Sequence, residues 1–455
     1  MPSYRPPWLA QWIIGVAGAS GSGKTTFARE VVASLGVPWV VIVSLDSFYK
    51  VLTPEQSAEA HKDNYQFDHP QAFDWDLLIQ TLEDLKAGKR VEIPVYSFAK
   101  HARLPDASVP LYGVNVVVLE GIYALHDDPR LQALLDMKIY LDTDSDVCLA
   151  RRLARDTRER GRDLKGILAQ YSKWVKPAFD ATVRPQMHRA DVIIPRGCDN
   201  KVALKMVVRH IEHALAKKSE QHQQHLAQLR QTCSQDGQTE ADNLPSTVSV
   251  LEQTNQVRGI HTIIRNGKTE RDDFIFYLER MATLIVERSL EGLPHTEKHV
   301  TTACGQYRGA QLSVPITGVS IMRAGEIFEV ALRQAIRDCQ IGKLLIQSDS
   351  RTGEPRLHYL KLPKGIASHQ ILLLDAQIAS AATAIMAVRV LLDHGVPEEQ
   401  ITFVAILASA LGVRALASVY PKLKVVVGAV DEGLMGVSNH IKPGAGNLGQ
   451  RYFGA

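Results

Sequence analysis

Gly18-Ala19-Ser20-Gly21-Ser22-Gly23-Lys24-Thr25-Thr26 is the stretch of this chain best equipped for chemistry. It has the full spacing of a phosphate-binding loop, two glycines five positions apart with Lys and Thr directly after the second. Glycines let successive backbone N–H groups turn inward around an anion, at the positive end of the helix that follows. Lys24 then reaches the outer phosphates, and the Thr25 hydroxyl is placed to ligate Mg²⁺. The matching acid is Glu120, which ends the apolar run Val116-Val-Val-Leu-Glu and so falls at the ligand edge of a parallel sheet. Its other reading is a solvated strand-end carboxylate.

Two further clusters concern the acceptor. Asp46, in Ser44-Leu-Asp-Ser-Phe-Tyr49, is placed to take the proton of an attacking hydroxyl and to help hold Mg²⁺. The competing reading is a helix N-cap, a common role for Asp after a strand. Phe67, Asp68, Tyr96, Phe98 and His101 mix aromatic faces with hydrogen-bonding groups, which suits a flat heterocycle and a sugar diol. They would equally suit a packed core corner. The basic segment Ala150–Asp163 contains Arg152, Arg155, Arg160 and Arg162. Composition alone allows a nucleic-acid patch or a solvated helix with internal ion pairs. A lid is the reading preferred here: Arg152 and Arg155 share a helix face, and Gly161 permits a turn. Guanidinium groups closing on a triphosphate would offset the charge that builds during transfer. Arg151 and Arg158 are expected to be surface residues.

These residues need elements to hold them. A chain of 455 residues exceeds what one core usually serves, so two domains are expected. Hydrophobic content of 45% and a net charge of +3 describe a globular protein whose main partner is neither nucleic acid nor membrane. The five cysteines are scattered without metal-ligand spacing, which fits a reducing compartment. No apolar run is long enough to span a bilayer, and Met-Pro-Ser-Tyr-Arg-Pro-Pro does not form a signal-peptide core. A cytoplasmic enzyme is expected, with nuclear presence left open. Apolar runs alternating with helix-like stretches from residue 12 to about 213 predict a parallel sheet covered on both faces. The reading is therefore an α/β domain over 1–215, a polar linker over 216–254 and a second α/β domain over 255–455. The histidines of the polar stretch are read as solvated.

The first domain resembles uridine–cytidine kinase. The resemblance rests on the glycine loop, Asp46-Ser-Phe-Tyr-Lys-Val-Leu-Thr53, Phe67-Asp-His-Pro-x-Ala-Phe-Asp74, Ile93-Pro-Val-Tyr-x-Phe98 and Arg155-Asp-x-x-Glu-Arg-Gly-Arg-Asp163, found in that order. It implies a P-loop kinase fold, ATP as donor with Mg²⁺, and a pyrimidine ribonucleoside as acceptor. By that resemblance Asp46 is the catalytic base, with Lys24 and Arg152 beside it. Thr25, Asp46 and Glu120 form the metal site. Arg155, Arg160 and Arg162 join the loop in binding ATP. Asp68 grips the ribose hydroxyls, Tyr96 and His101 meet the pyrimidine edge, and Phe67, Phe98, Arg152 and Gln170 complete the nucleoside pocket.

Residues 255–455 resemble uracil phosphoribosyltransferase, through Ile321-Met-Arg-Ala-Gly325, Tyr359-Leu-Lys-Leu-Pro363 and Pro443-Gly-Ala-Gly-Asn-Leu-Gly-Gln-Arg-Tyr-Phe-Gly454. The departures carry more weight. Where that family has Asp-Pro-Met-x-Ala-Thr-Gly-Gly-Ser, this chain has Asp375-Ala-Gln-Ile-Ala-Ser380-Ala381-Ala382-Thr383. Alanine adds a Cβ where backbone must approach phosphate, and makes a positive φ costly. Asn447 and Gln450 stand where the family has aspartates. A folded, catalytically inert domain serving assembly or regulation is expected; the alternative is a bifunctional enzyme that also makes UMP from uracil and phosphoribosyl diphosphate. Both resembled families imply a homo-oligomer.

Overall fold

The computed structural model describes residues 4–61, 64–98, 100–161, 163–234, 244–349, 352–435 and 440–454. Contacts divide the chain into two compact units, Pro7–Ser219 and Met1–Pro6 with Glu220–Ala455.

The Pro7–Ser219 unit is built on a five-stranded parallel sheet. Its strands are β1 (Trp12–Gly18), β2 (Val40–Ser44), β5 (Val116–Glu120), β6 (Met137–Asp142) and β7 (Val192–Pro195), in the order β2-β5-β1-β6-β7. A separate antiparallel hairpin pairs β3 (Val91–Ser97) with β4 (Ala102–Leu111). Every residue of β5 is buried, as a strand covered on both faces must be. Successive side chains go to opposite faces, so Ile13, Val117 and Leu119 pack in one core with Phe73 and Tyr123. Ile14, Val116 and Val118 pack in the other with Phe27 and Ile211. In the ladder both Val16 and Ser44 stand opposite Glu120. That register brings the ends of three neighbouring strands, and the loops that leave them, to one edge.

The second unit carries an eight-stranded sheet. Its members are β8 (Val248–Val250), β11 (Ile316–Met322), β12 (Gln340–Ser348), β13 (Pro355–Lys361), β14 (Gln370–Leu374), β15 (Gln377–Ile378), β16 (Ile401–Ser409) and β17 (Lys424–Asp431). The order is β13-β12-β11-β14-β16-β17-β8, parallel except for β12 with β13, and β15 adds to β16. A hairpin of β9 (His295–Thr302) and β10 (Gly305–Leu312) stands apart from this sheet. The helix Arg271–Glu291 buries Phe274, Leu278, Met281 and Ile285, spaced four and three apart, against the sheet core.

The polar stretch expected as a linker over 216–254 carries regular structure at both of its ends. One helix runs from Lys201 to Ser234, and residues 248–250 form β8, which pairs in parallel with β17. The reason is a narrow stripe that composition conceals: His222, Leu226 and Leu229 lie four and three apart and are buried. Burying each leucine stabilises by about 2 kcal/mol. His222 is accordingly not a solvated histidine. Its Nε2 shares a hydrogen bond with the Tyr4 hydroxyl at 2.9 Å, and its Nδ1 lies 2.8 Å from Glu354 Oε1. The same contacts explain why residues 4–6, expected with the first domain, group with the second unit.

Candidate active site

β1 ends at Gly18, and the glycine loop delivers the chain into the helix Lys24–Leu35. Gly23 takes φ 89° at the N-cap, and no side chain caps the first turn, so its N–H groups stay available to an anion. Phe27, Ala28 and Val31 bury the opposite face and fix the helix on the sheet. Lys24 is itself buried, and its Nζ donates to the Ala19 carbonyl at 2.8 Å. Burial pushes its pKa below the ordinary lysine value, against the pull of Glu120 and Asp46. An outer phosphate placed there would supply further negative charge to this ammonium.

A cavity opens at this sheet edge. Ser20, Lys24, Thr25, Asp46 and Glu120 line it on the side of the glycine loop and the strand tips. Phe67, Asp68, Tyr96, Phe98, His101 and Gln170 line the other walls, and Arg152 and Arg155 reach in from the helix Ser145–Arg160. The rest of the glycine loop, from Gly18 to Thr26, forms the turn and first helical residues that carry these groups. Asp46 does not take the N-cap reading. The short turn Leu45–Phe48 is preceded by Ser44 as its cap residue, and Asp46 lies within the turn. Glu120 is buried and accepts a hydrogen bond from the Ser44 hydroxyl at 2.9 Å, which fixes one carboxylate oxygen.

The aromatic groups form a box. Phe67 and His101 stack with centroids 5.1 Å apart and planes at 18°, while Tyr96 meets Phe98 edge-on at 5.4 Å. Tyr49 lies 5.0 Å from Tyr96. His101 has φ 47°, in the left-handed region, so the β3–β4 turn holds this ring in an uncommon backbone state. Asp68 is anchored through its backbone: the buried Tyr123 hydroxyl donates to its carbonyl at 2.7 Å. Burial pushes the Tyr123 phenol up to about 12, so it remains a donor across the neutral range.

Arg152 is almost wholly buried, and its Nη1 and Nη2 donate to Ser20 Oγ at 2.9 Å and Gln170 Oε1 at 3.0 Å. Gly161, at φ 63°, ends the helix as expected. Arg162 lies outside the described residues, as does the Arg160 side chain. Arg151, expected at the surface, is partly exposed there and also engaged. It pairs with Asp199 at 2.8 Å and reaches the Ser22 carbonyl at 3.5 Å, so it braces the phosphate loop from behind. Ser44, Tyr123 and Arg151 were not read as site residues because each acts through a neighbour distant in sequence, whereas Tyr49 lines the cavity itself.

The donor set fits Mg²⁺. Among the described residues no cluster of three His, Cys, Asp or Glu side chains could hold a metal alone. Thr25, Asp46 and Glu120 offer one hydroxyl and two carboxylates on one cavity, which leaves positions for phosphate oxygens and water. Mg²⁺ is commonly held in that way, whereas Zn²⁺ or a caged Ca²⁺ is not.

Fold and site together define a P-loop phosphotransferase unit carried on one chain with a phosphoribosyltransferase-type unit. Residues 13–203 match the model of the phosphoribulokinase/uridine kinase family, and residues 250–455 that of uracil phosphoribosyltransferase. The chain is 47% identical to uridine-cytidine kinase-like 1 of Mus musculus over 99% of its length and 82% of that protein. It is 42% identical to uridine kinase of Schizosaccharomyces pombe over 93% of its length and 92% of the relative. With uridine-cytidine kinase A of Dictyostelium discoideum it shares 44% identity over 99% and 89% of the two chains. The chain belongs to the uridine kinase family, in the form that joins the kinase to a uracil phosphoribosyltransferase-type domain. No helix among the described residues is long and apolar enough to cross a membrane.

Proposed function

We propose that the chain transfers the γ-phosphoryl group of ATP to the 5′-hydroxyl of uridine and cytidine, giving UMP and CMP in pyrimidine salvage. The observation that carries this reading is a single cavity lined at once by Lys24, Thr25, Asp46, Glu120, Asp68, Tyr96 and His101. The names of the relatives support the same acceptor. Mg²⁺, held by Thr25, Asp46 and Glu120, would neutralise charge on the phosphates. The loop N–H groups and Lys24 bind the donor's phosphates. Asp46 accepts the proton of the 5′-hydroxyl as that oxygen attacks phosphorus. Asp68 accepts from the ribose 2′- and 3′-hydroxyls, which favours a ribonucleoside. Phe67 and Phe98 flank the base, while Tyr96 and His101 meet its polar edge, where a ring nitrogen serves as donor or acceptor. Arg152 and Arg155, with Arg160 and Arg162 of the lid, offset the charge that accumulates on the transferring group.

For the second unit the reading is a domain inert as a phosphoribosyltransferase that serves assembly or regulation within a cytoplasmic homo-oligomer. Ala381 supports it, since it takes φ 63° at the N-cap of the helix Ala382–Asp393. A left-handed alanine costs about 1–2 kcal/mol and puts a methyl group at the turn where the family has glycine. Asn447 caps the last helix through its Oδ1, at 3.0 Å from Gln450 N, a role that needs no negative charge. The bifunctional alternative rests on the hydroxyls of Ser380 and Thr383, which line one cavity with Asp375. One assay panel tests both readings: uridine, cytidine and deoxycytidine with ATP, and uracil with phosphoribosyl diphosphate. Activity on the two ribonucleosides alone is expected. UMP formation from uracil would refute inertness, and no turnover of either ribonucleoside would refute the kinase reading.

A further inference from the structure

The two lid arginines that the structure describes in full share one acid. Asp156 lies on the same helix, and its side chain is fully buried. Arg155 grips it through Nε and Nη2, both 2.8 Å from Oδ1. Arg152, one turn earlier, brings Nε to 3.6 Å from Oδ2. Both arginines line the cavity beside Lys24. Two guanidinium groups and an ammonium facing one cavity repel one another. An arginine also keeps its rotamer freedom until something holds it. Arg152 has two other holds, Ser20 and Gln170, whereas the Arg155 side chain remains one-third exposed. Asp156 does not line the cavity and is too deeply buried to meet a substrate directly.

We infer that Asp156 is a positioning residue for phosphoryl transfer: its buried carboxylate holds Arg155, and secondarily Arg152, aimed at the transferring phosphate before substrate arrives. A carboxylate near a phosphate would ordinarily weaken anion binding. Here it lies behind the guanidinium groups, lowers their mutual repulsion and fixes their direction, so most of its effect falls on the transition state. The inference rests on the kinase reading above, and its test separates the two. If the wild-type protein does not phosphorylate uridine, that reading fails. If the wild type is active, the Asp156 variants decide the inference alone.

The experiment is a double-mutant cycle on the full chain, with kcat, KM for ATP, KM for uridine and thermal midpoint measured throughout. Asp156→Asn keeps volume and removes charge, and it is expected to lower kcat about 10- to 100-fold, the usual scale for groups that orient reacting groups through a neighbour. KM for uridine should stay within about threefold. In an Arg155→Gln background the same change should lower kcat less than threefold, because the residue it acts through is gone. A purely structural role predicts additive losses and a thermal midpoint that falls in parallel, and that pattern would overturn the inference. So would Asp156→Asn with near-normal kcat. If the Asn variant does not fold, Asp156→Glu serves, since it keeps the buried charge but displaces the carboxylate by one methylene. A five- to twentyfold loss of kcat with unchanged melting is then expected, and full activity overturns the proposal.

Discussion

Gly21 is not required by the spacing of the phosphate loop, yet the structure predicts that it tolerates no side chain. It stands at φ 86°, and an added Cβ would fall inside contact distance of the Cys148 carbonyl oxygen. The carbonyl carbon and Cα of Cys148 lie 3.1 and 3.3 Å from the same point. These are backbone atoms of the helix Ser145–Arg160 and cannot rotate away. Gly21→Ala therefore carries two penalties. The left-handed conformation costs about 1–2 kcal/mol. Restoring ordinary carbon contacts of about 3.5–4 Å also forces loop and helix apart by on the order of 1 Å. A displacement of that size at a reacting centre costs on the order of 100-fold in rate. Gly36→Ala is the matched control: φ is 61°, and the nearest atom to its added Cβ is the Ala33 carbonyl oxygen at 4.0 Å, at the far end of the helix. It should lose about 1 kcal/mol of stability and no activity. Steady-state kinetics with ATP varied, beside thermal melts of both variants, reads the difference. Gly21→Ala should lose about 100-fold in kcat/KM for ATP and melt lower than Gly36→Ala. A Gly21→Ala protein within threefold of the wild type, or indistinguishable from Gly36→Ala, would refute the steric argument.

Three further outcomes are expected. Asp46→Asn should lower kcat by about 10²–10⁴-fold with its melting temperature unchanged, checked by nucleoside phosphorylation beside a melt; near-normal turnover would end its role as base. Ser44→Ala frees the carboxylate oxygen of Glu120 that its hydroxyl now holds at 2.9 Å. It should raise the Mg²⁺ concentration needed for half-maximal rate about tenfold, read by titrating Mg²⁺ at saturating ATP. Lys218 gives a pH signature, because burial pushes its pKa down from 10.5 to about 8. Below about pH 8 it is charged in both folded and unfolded chains, and the folded state bears the desolvation. Between about 8 and 10.5 the folded state sheds this proton first, the unfolded chain binds more protons, and the Lys218 contribution to stability rises with pH. Lys218→Met should melt a few degrees higher at pH 7 and lose that rise, as melts across the interval would show.

Much of the kinase site was legible because its signals are local. A glycine loop is recognised over nine consecutive residues, and an acid at the end of an all-apolar strand points to the ligand edge without any knowledge of its neighbours. Residue types alone do not separate the aromatic box from a core corner; only the resemblance points to a nucleoside pocket. Stacking of Phe67 on His101 depends on a turn 34 positions further on (101 − 67), with its histidine at positive φ. How far the helix continues into the Gln- and Ser-rich stretch is not legible from composition, because three buried side chains in a polar segment leave composition unchanged.

The amino-acid sequence by itself determined the order of the strands along the chain, the phosphate loop, the acids at the strand tips and the alanines where the related transferase loop has glycines. Those follow from periodicity and from backbone preferences a few residues wide. Only the tertiary structure decided that Ser44 holds Glu120, that Cys148 excludes a side chain at Gly21, that Asp156 serves two arginines, and that Tyr4 belongs with His222. Register and helix docking set these contacts. They join residues up to 218 positions apart, as for Tyr4 and His222, and no local pattern encodes such a pairing.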